Sequence, residues 1–162
     1  MREAAAKLFV DGLKAANINL LTVLSDSWLF EPHRQAKADQ FFSVIPVANE
    51  GEGVGICAGA WLGGKKAAIL MENSGLRTAC EPLARLQGIP VLLLMSYRGD
   101  WGDSPWWAAN TGATTEPILN ALKIPFKVVR QEADIVPSLA GAVRTMNAHR
   151  SHAAVLFGGE LM

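Results

Sequence analysis

The sequence predicts a three-layer αβα domain built on a mainly parallel six-stranded sheet. Six short runs are apolar on both faces, and segments with helical apolar spacing fill the gaps between them. Strands of that kind need helices over both sides of the sheet, and strand–helix alternation makes the connections parallel, right-handed crossovers. The chain has 162 residues and no repeat, low-complexity tract or linker. That is one domain's worth of chain, able to bury roughly 68–70% of its unfolded surface. Residues 1–162 are therefore expected to form a single domain.

The elements follow in order. Ala5, Leu8, Phe9 and Leu13 recur at helical spacing and predict a first helix over 3–16. The run 18-INLLTVL-24 reads as the first strand, followed by a short helix over 27–38. Further strands are predicted at 41-FFSVIPV-47, 67-AAILM-71, 90-PVLLLMS-96, 125-PFKVV-129 and 153-AAVLF-157. Helical patterns occupy 50–63, 75–87, 113–123 and 132–149. One connection is long and rich in tryptophan, 97-YRGDWGDSPWWAANTG-112. Long loops at the carboxyl ends of parallel strands are where such folds place function.

Composition excludes several classes. Half of the residues are hydrophobic and 19% are charged, which rules out general disorder. Basic and acidic residues balance at 15 each, so no net field draws in nucleic acid or an anionic membrane. No apolar run approaches the roughly 20 residues that span a bilayer. The start, MREAAAKLFVDGLKAAN, reads as an amphipathic helix and not as a secretory signal. Cys57 and Cys80 fall in predicted helices without CxxC spacing, which suits a reduced pair in a cytoplasmic protein. His33, His149 and His152 lack metal-ligand spacing, and no metal site is expected on this chain.

The segment 48-ANEGEGVGICAGAWLGG-64 follows an apolar run and is dense in glycine and acid. Its glycines do not follow the GxGxxG dinucleotide pattern, and Glu50 and Glu52 stand where a pyrophosphate would meet a helix N-terminus. The helix dipole favours acids in a first turn, so Glu50 and Glu52 have an ordinary structural role open to them. The glycines do not. Each interior helix glycine costs roughly 0.8–1.0 kcal/mol relative to alanine, so Gly53, Gly55 and Gly59 imply close approach of another backbone or a ligand. The helix start therefore reads as a contact surface that presents a carboxylate, which suits a basic heteroaromatic nitrogen better than a phosphate.

The stretch 49-NEGEGVGICAGAWLGGKKAAILMENSGL-76 resembles the pyrimidine-binding domain of thiamine diphosphate-dependent enzymes, in particular that of the sulfopyruvate and phosphonopyruvate decarboxylases. The family pattern is Asn-Glu-Gly after a strand, Ala-Gly nine residues past the glutamate, Gly-Lys-Lys, an apolar strand and Asn-Ser-Gly-Leu. The interval from Glu50 to Gly59 singles out Glu50 over Glu52. The likeness extends through 22-TVLSDSWL-29, 94-LMSYRGDWGD-103 and 116-EPILNALKIPFKVV-129. It departs from the pattern at Glu72, where glutamine is common, at Arg77-Thr78, where Gly-Asn is common, and at Leu24-Ser25, where the proline of Val-Pro-Asp-Ser is lost.

The resemblance implies a role for each of these residues. The family's glutamate, here Glu50, hydrogen-bonds N1′ of the cofactor's aminopyrimidine and favours the tautomer that deprotonates C2 of the thiazolium. Asn73, Ser74 and Gly75 would contact the aminopyrimidine; a strand-to-helix turn capped by Asn73 or Ser74 is the structural alternative. Asp26 and Ser27 would meet the substrate carboxylate or relay protons, unless Ser25 or Asp26 merely caps the next helix. Arg98 would either fork onto an anionic substrate tail or pair with Asp100 or Asp103 to close the loop. Trp101, Trp106 and Trp107 would line a pocket or pack on a partner chain. The Gly-Asp-Gly motif that holds Mg²⁺ and the diphosphate is missing. The resemblance thus implies a split 2-oxo acid decarboxylase in an α₂β₂ or larger assembly. In it, a diphosphate-binding beta-type subunit holds Mg²⁺ and the substrate is a small anionic 2-oxo acid.

Overall fold

The computed structural model describes residues 1–162 and contains six helices and six strands. The helices are α1 (Glu3–Ala15), α2 (Phe30–Ala38), α3 (Glu50–Leu62), α4 (Leu76–Arg85), α5 (Ala109–Ala121) and α6 (Ile135–His149). The strands are β1 (Leu20–Val23), β2 (Ser43–Pro46), β3 (Ala67–Glu72), β4 (Leu92–Ser96), β5 (Phe126–Val129) and β6 (Ala153–Phe157). All pairings are parallel, in the order β2-β1-β3-β4-β6-β5. No helix is long and apolar enough to cross a membrane.

The two-sided apolar runs become the buried interior strands. Every residue of β4 and β6 is buried, while the edge strands β2 and β5 are partly exposed. Alternation along the strands then divides the core in two. Leu21, Leu70, Leu94 and Phe157 face a layer made by α1, α2 and α6, where the Phe9 and Phe157 rings meet edge to face at 5.2 Å. Ile69, Met71, Leu93 and Leu156 face the opposite layer of α3, α4 and α5. The three-layer architecture is thus the one that the sequence predicts.

Three helix starts differ from expectation, the sixth beginning at Ile135 and not at 132 because Glu132–Asp134 is a separate 3₁₀ turn. The second helix starts at Phe30 and not at 27, because residues 24–29 form the loop that leaves β1. The fifth starts at Ala109, ahead of the predicted 113. Ala109-Asn110-Thr111-Gly112 reads as turn chemistry, yet Gly112 is a helical residue pressed on the backbone of Gly99; a Cβ on Gly112 would lie 2.9 Å from Gly99 Cα. Close backbone approach, and not a turn, explains that glycine.

The glycines of α3 divide by direction. A Cβ on Gly53 would lie 2.6 Å from Ile69 Cδ1 and 3.1 Å from Thr22 Oγ1, so this glycine lets α3 settle on its own sheet. Gly55 and Gly59 have nothing within 4 Å. Gly53→Ala should therefore cost about 1–3 kcal/mol through overpacking, while Gly59→Ala should stabilise the isolated chain by about 0.8–1.0 kcal/mol. Urea unfolding of the two variants should shift in opposite directions; shifts of the same sign would contradict this packing.

His152 is buried between the layers. Its Nδ1 accepts from the Val91 N–H at 3.2 Å, so Nε2 carries the proton given to Leu83 O at 2.9 Å. Burial lowers its pKa, because the charged ring would lose its hydration there, against the smaller opposing effect of the bond to Leu83 O. Below about pH 6.5 the unfolded chain gains a proton that the folded chain refuses, so this contribution to stability is full above that pH and lost beneath it. His33 shifts in the same direction. Unfolding midpoints should fall from pH 7.5 to 5.5, and fall less steeply in His152→Gln; equal slopes would remove His152 from the account.

Candidate active site

The loops leaving β1 and β3 run to helices on opposite faces of the sheet, which puts the topological switch point between these adjacent strands. Parallel sheets bind ligands at such a switch point. The loop after β1 carries Asp26 and Ser27, the turn after β3 is 73-NSG-75, and α3 starts beside them with Glu50.

The first turn of α3 separates its two acids. Asn49 caps the helix by accepting from the Glu52 N–H at 3.0 Å, and the Glu52 carboxylate reaches back to the Ala48 N–H at 2.7 Å. This reciprocal arrangement is a capping box shifted by one residue, and it accounts fully for Glu52, which is exposed. Glu50 is only 9% exposed and makes no hydrogen bond or ion pair within the chain. Its side chain lies across Gly75, where a Cβ would come 2.5 Å from the Glu50 Cδ. Capping does not require a carboxyl group in that place, and its oxygens are left free to take a partner.

The turn Asn73–Gly75 is 3₁₀-helical and leads into α4 without a side-chain cap, so neither Asn73 nor Ser74 caps the helix. Asn73 is buried with both ends of its amide engaged. Its Oδ1 accepts from the Arg98 N–H at 3.0 Å, and its Nδ2 donates to Arg98 O and to Thr115 Oγ1, each at 2.9 Å. Ser74 is half-buried. In the β1 loop, Asp26 Oδ1 accepts from the Trp28 N–H at 3.0 Å and does not cap α2. The other oxygen, Oδ2, is buried and unpartnered, and Ser27 is exposed.

Of the two loop-closing partners weighed for Arg98, the structure selects Asp103, with Nε to Oδ2 at 2.9 Å. The guanidinium is also stacked between Trp28 and Trp107, 4.5 and 4.6 Å from the ring centroids. Asp100 instead takes Arg130 in a forked pair at 2.8 and 2.6 Å. Hydrogen bonding to Arg98 holds the Asp103 carboxyl below the usual range against the opposing effect of burial. Trp107 is thus half engaged, whereas Trp101 and Trp106 are 94% and 87% exposed.

The structure brings together Glu50 with Gly75, and Asn73 with Arg98. Sequence reasoning missed Thr115, Arg130 and Trp28, which complete these contacts. Trp28 stood inside a quoted motif, but nothing local tells that Thr115 meets Asn73 forty-two residues away.

The chain is 35% identical to the sulfopyruvate decarboxylase subunit alpha of Methanococcus maripaludis over 122 residues, covering 73% of this chain and 66% of that one. It is 37% identical to the subunit of that name from Methanothermobacter thermautotrophicus over 125 residues, covering 75% and 70%. The chain belongs to the sulfopyruvate decarboxylase alpha-subunit family. A phosphonopyruvate decarboxylase of Streptomyces viridochromogenes is more distant, 27% identical over 146 residues that make up 36% of its length. No family model matches the chain. The matched segment thus spans about two thirds of the family's alpha subunits and the minor part of the phosphonopyruvate enzyme.

The contact between Glu50 and Gly75 can be checked by stability alone. Gly75→Ala should cost about 1–3 kcal/mol, because its Cβ collides with a packed side chain. Adding Glu50→Ala should recover most of that loss as a coupling energy. Strictly additive effects in the cycle would place the two residues apart.

Proposed function

We propose that this chain is the pyrimidine-binding, alpha-type subunit of a split thiamine diphosphate-dependent 2-oxo acid decarboxylase, most like sulfopyruvate decarboxylase. The carrying observation is Glu50: a largely buried glutamate whose carboxylate has no partner in the chain, seated on a glycine at the switch point of a parallel sheet. Membership in a family of decarboxylase subunits supports the reading. The more distant phosphonopyruvate enzyme keeps a related 2-oxo acid as the alternative substrate.

The residues present fit an aminopyrimidine. Glu50 presents a carboxylate that no residue of the chain engages, able to share a proton with a ring nitrogen, and a bound ring that excluded water would strengthen that bond. Gly75 leaves room for it, and Asn73 fixes the turn from below with its amide already satisfied. When bound, thiamine diphosphate supplies a nucleophilic carbon and stores the electron pair released with CO₂. Asp26 and Ser27, on the β1 side of the switch point, would meet the substrate carboxylate and move protons there. Ser74 and the Gly75 backbone would border the pyrimidine. A separate beta-type subunit would hold Mg²⁺ and the diphosphate. Exposed Trp101 and Trp106 support a partner lying against this end of the molecule.

In the complex purified with its second subunit, Mg²⁺ and thiamine diphosphate, Glu50→Gln should lower turnover of a 2-oxo acid by about 10²–10⁴-fold. Native mass spectrometry should show the assembly unchanged. A variant with wild-type turnover would leave Glu50 as a helix-terminal acid and end the proposal.

A further inference from the structure

Thr115 lies in the middle of α5 and is 1% exposed. Threonine is a mediocre helix former, and a hydroxyl bonded back to its own helix adds no helix stability. Here the O–H donates to Thr111 O, one turn back, at 2.7 Å. Its proton thus committed, the oxygen accepts from Asn73 Nδ2 at 2.9 Å. Valine has nearly the same shape, so filling the space does not require the hydroxyl. The Asn73 amide does, because a buried N–H without an acceptor is expensive.

The other two bonds of that amide go to one residue. Oδ1 accepts from the Arg98 N–H at 3.0 Å, and Nδ2 donates to Arg98 O at 2.9 Å. Two bonds to a single residue define an axis about which the turn can still tilt. The bond to Thr115 comes from a different element, off that axis, and removes the tilt. The turn ends two residues on at Gly75, where a Cβ would come 2.5 Å from the Glu50 Cδ. Held at its first residue by both Arg98 and α5, the turn meets the Glu50 side chain in one position.

We propose that Thr115 is a positioning residue for the site at Glu50, acting through Asn73 to hold the 73–75 turn in its binding form. The assignment rests on the thiamine diphosphate reading above and adds that α5 pre-sets the turn before a ligand arrives. A turn that must be ordered during binding lowers affinity for what it contacts. The hydroxyl therefore acts on affinity for the cofactor and not on capture of the oxo acid.

The test uses the assembled complex, stripped of cofactor and supplied with Mg²⁺. The calorimetric Kd for thiamine diphosphate should rise by about tenfold in Thr115→Val, the order expected for one buried donor left unpaired. Thr115→Ser keeps the hydroxyl and should stay within about twofold of wild type. So should Thr114→Val, whose exposed hydroxyl donates to carbonyls of its own helix. With cofactor saturating, the KM for a 2-oxo acid should not change in any of the three. In the unsubstituted chain, both Nδ2 protons of Asn73 should exchange with water more slowly than those of exposed Asn147, since each has a buried acceptor. A wild-type Kd in Thr115→Val, no rescue by serine, an equal rise in Thr114→Val or a raised KM would overturn the assignment. Failure of Thr115→Val to assemble, or a freely exchanging Asn73 amide, would do the same. The thiamine diphosphate reading fails separately, if the wild-type complex binds no cofactor.

Discussion

The carboxyl end of this sheet depends on one buried amide. Asn73 closes two hydrogen bonds on the backbone of Arg98, so it continues the β3–β4 ladder by one rung beyond the point where the strands end. Each such bond contributes about 1 kcal/mol net, but leaving the Arg98 groups buried and unpaired would cost about 1–3 kcal/mol apiece. With its backbone fixed there, the Arg98 side chain reaches Trp28, Trp107 and Asp103. The loops after β1, β3 and β4 are thereby tied at a single residue. Thr115, bonded to the same Asn73 nitrogen, brings α5 into the knot.

Glu50 and Glu52 show how a two-residue offset sorts chemistry on a helix. Positions i and i+2 do not share a face, so one acid can serve the helix while the other turns into the sheet. Glu52 takes the capping work, bonding the Ala48 N–H. Glu50 is released from it and lies on Gly75. Without the second acid, the first would be the natural partner of the free N–H groups at the helix start, and its carboxyl would be engaged. The acidic character of the segment is therefore not a single property repeated. It is one structural acid that keeps another available.

The layers, the strand order of burial and the element sequence were legible because they follow from period and run length. The interior strands β3, β4 and β6 hold apolar runs of four or five residues, and the run holding Lys127 became an edge. The spacing to Gly59 set Glu50 apart from Glu52, and the structure gives the capping bonds to Glu52. The glycines were legible only in part. Their energetic cost announced close approach, but only coordinates separate Gly53, which meets Ile69, from Gly55 and Gly59, which meet nothing. Arg98 illustrates the harder case: its alternatives differ by which aspartate is near, and Asp100 and Asp103 are equally close along the chain. Folding decides it. A carboxylate on the Gly158 side of the loop can fork onto Arg130, and that leaves Asp103 for Arg98.

The tryptophan-rich loop inverts the usual rule of burial. Its charged residues point inward: Asp100 and Asp103 are nearly enclosed, each held by an arginine, and Asp103 also accepts from the Gly99 N–H at 2.8 Å. Its largest apolar side chains, Trp101 and Trp106, point into water. A loop that served only this chain would gain more by the opposite choice, since each buried indole removes some 150–250 Å² from solvent. The polar skeleton instead sets the backbone firmly, with Gly99 against Gly112, and spends none of the aromatic surface. Rigid aromatic side chains on a pre-set backbone lose little entropy on contact. In the proposed assembly this makes the loop a prepared docking edge at the carboxyl end of the sheet. The same ion pairs that hold it enclose Arg98 and leave Arg130 half exposed at the edge of the loop.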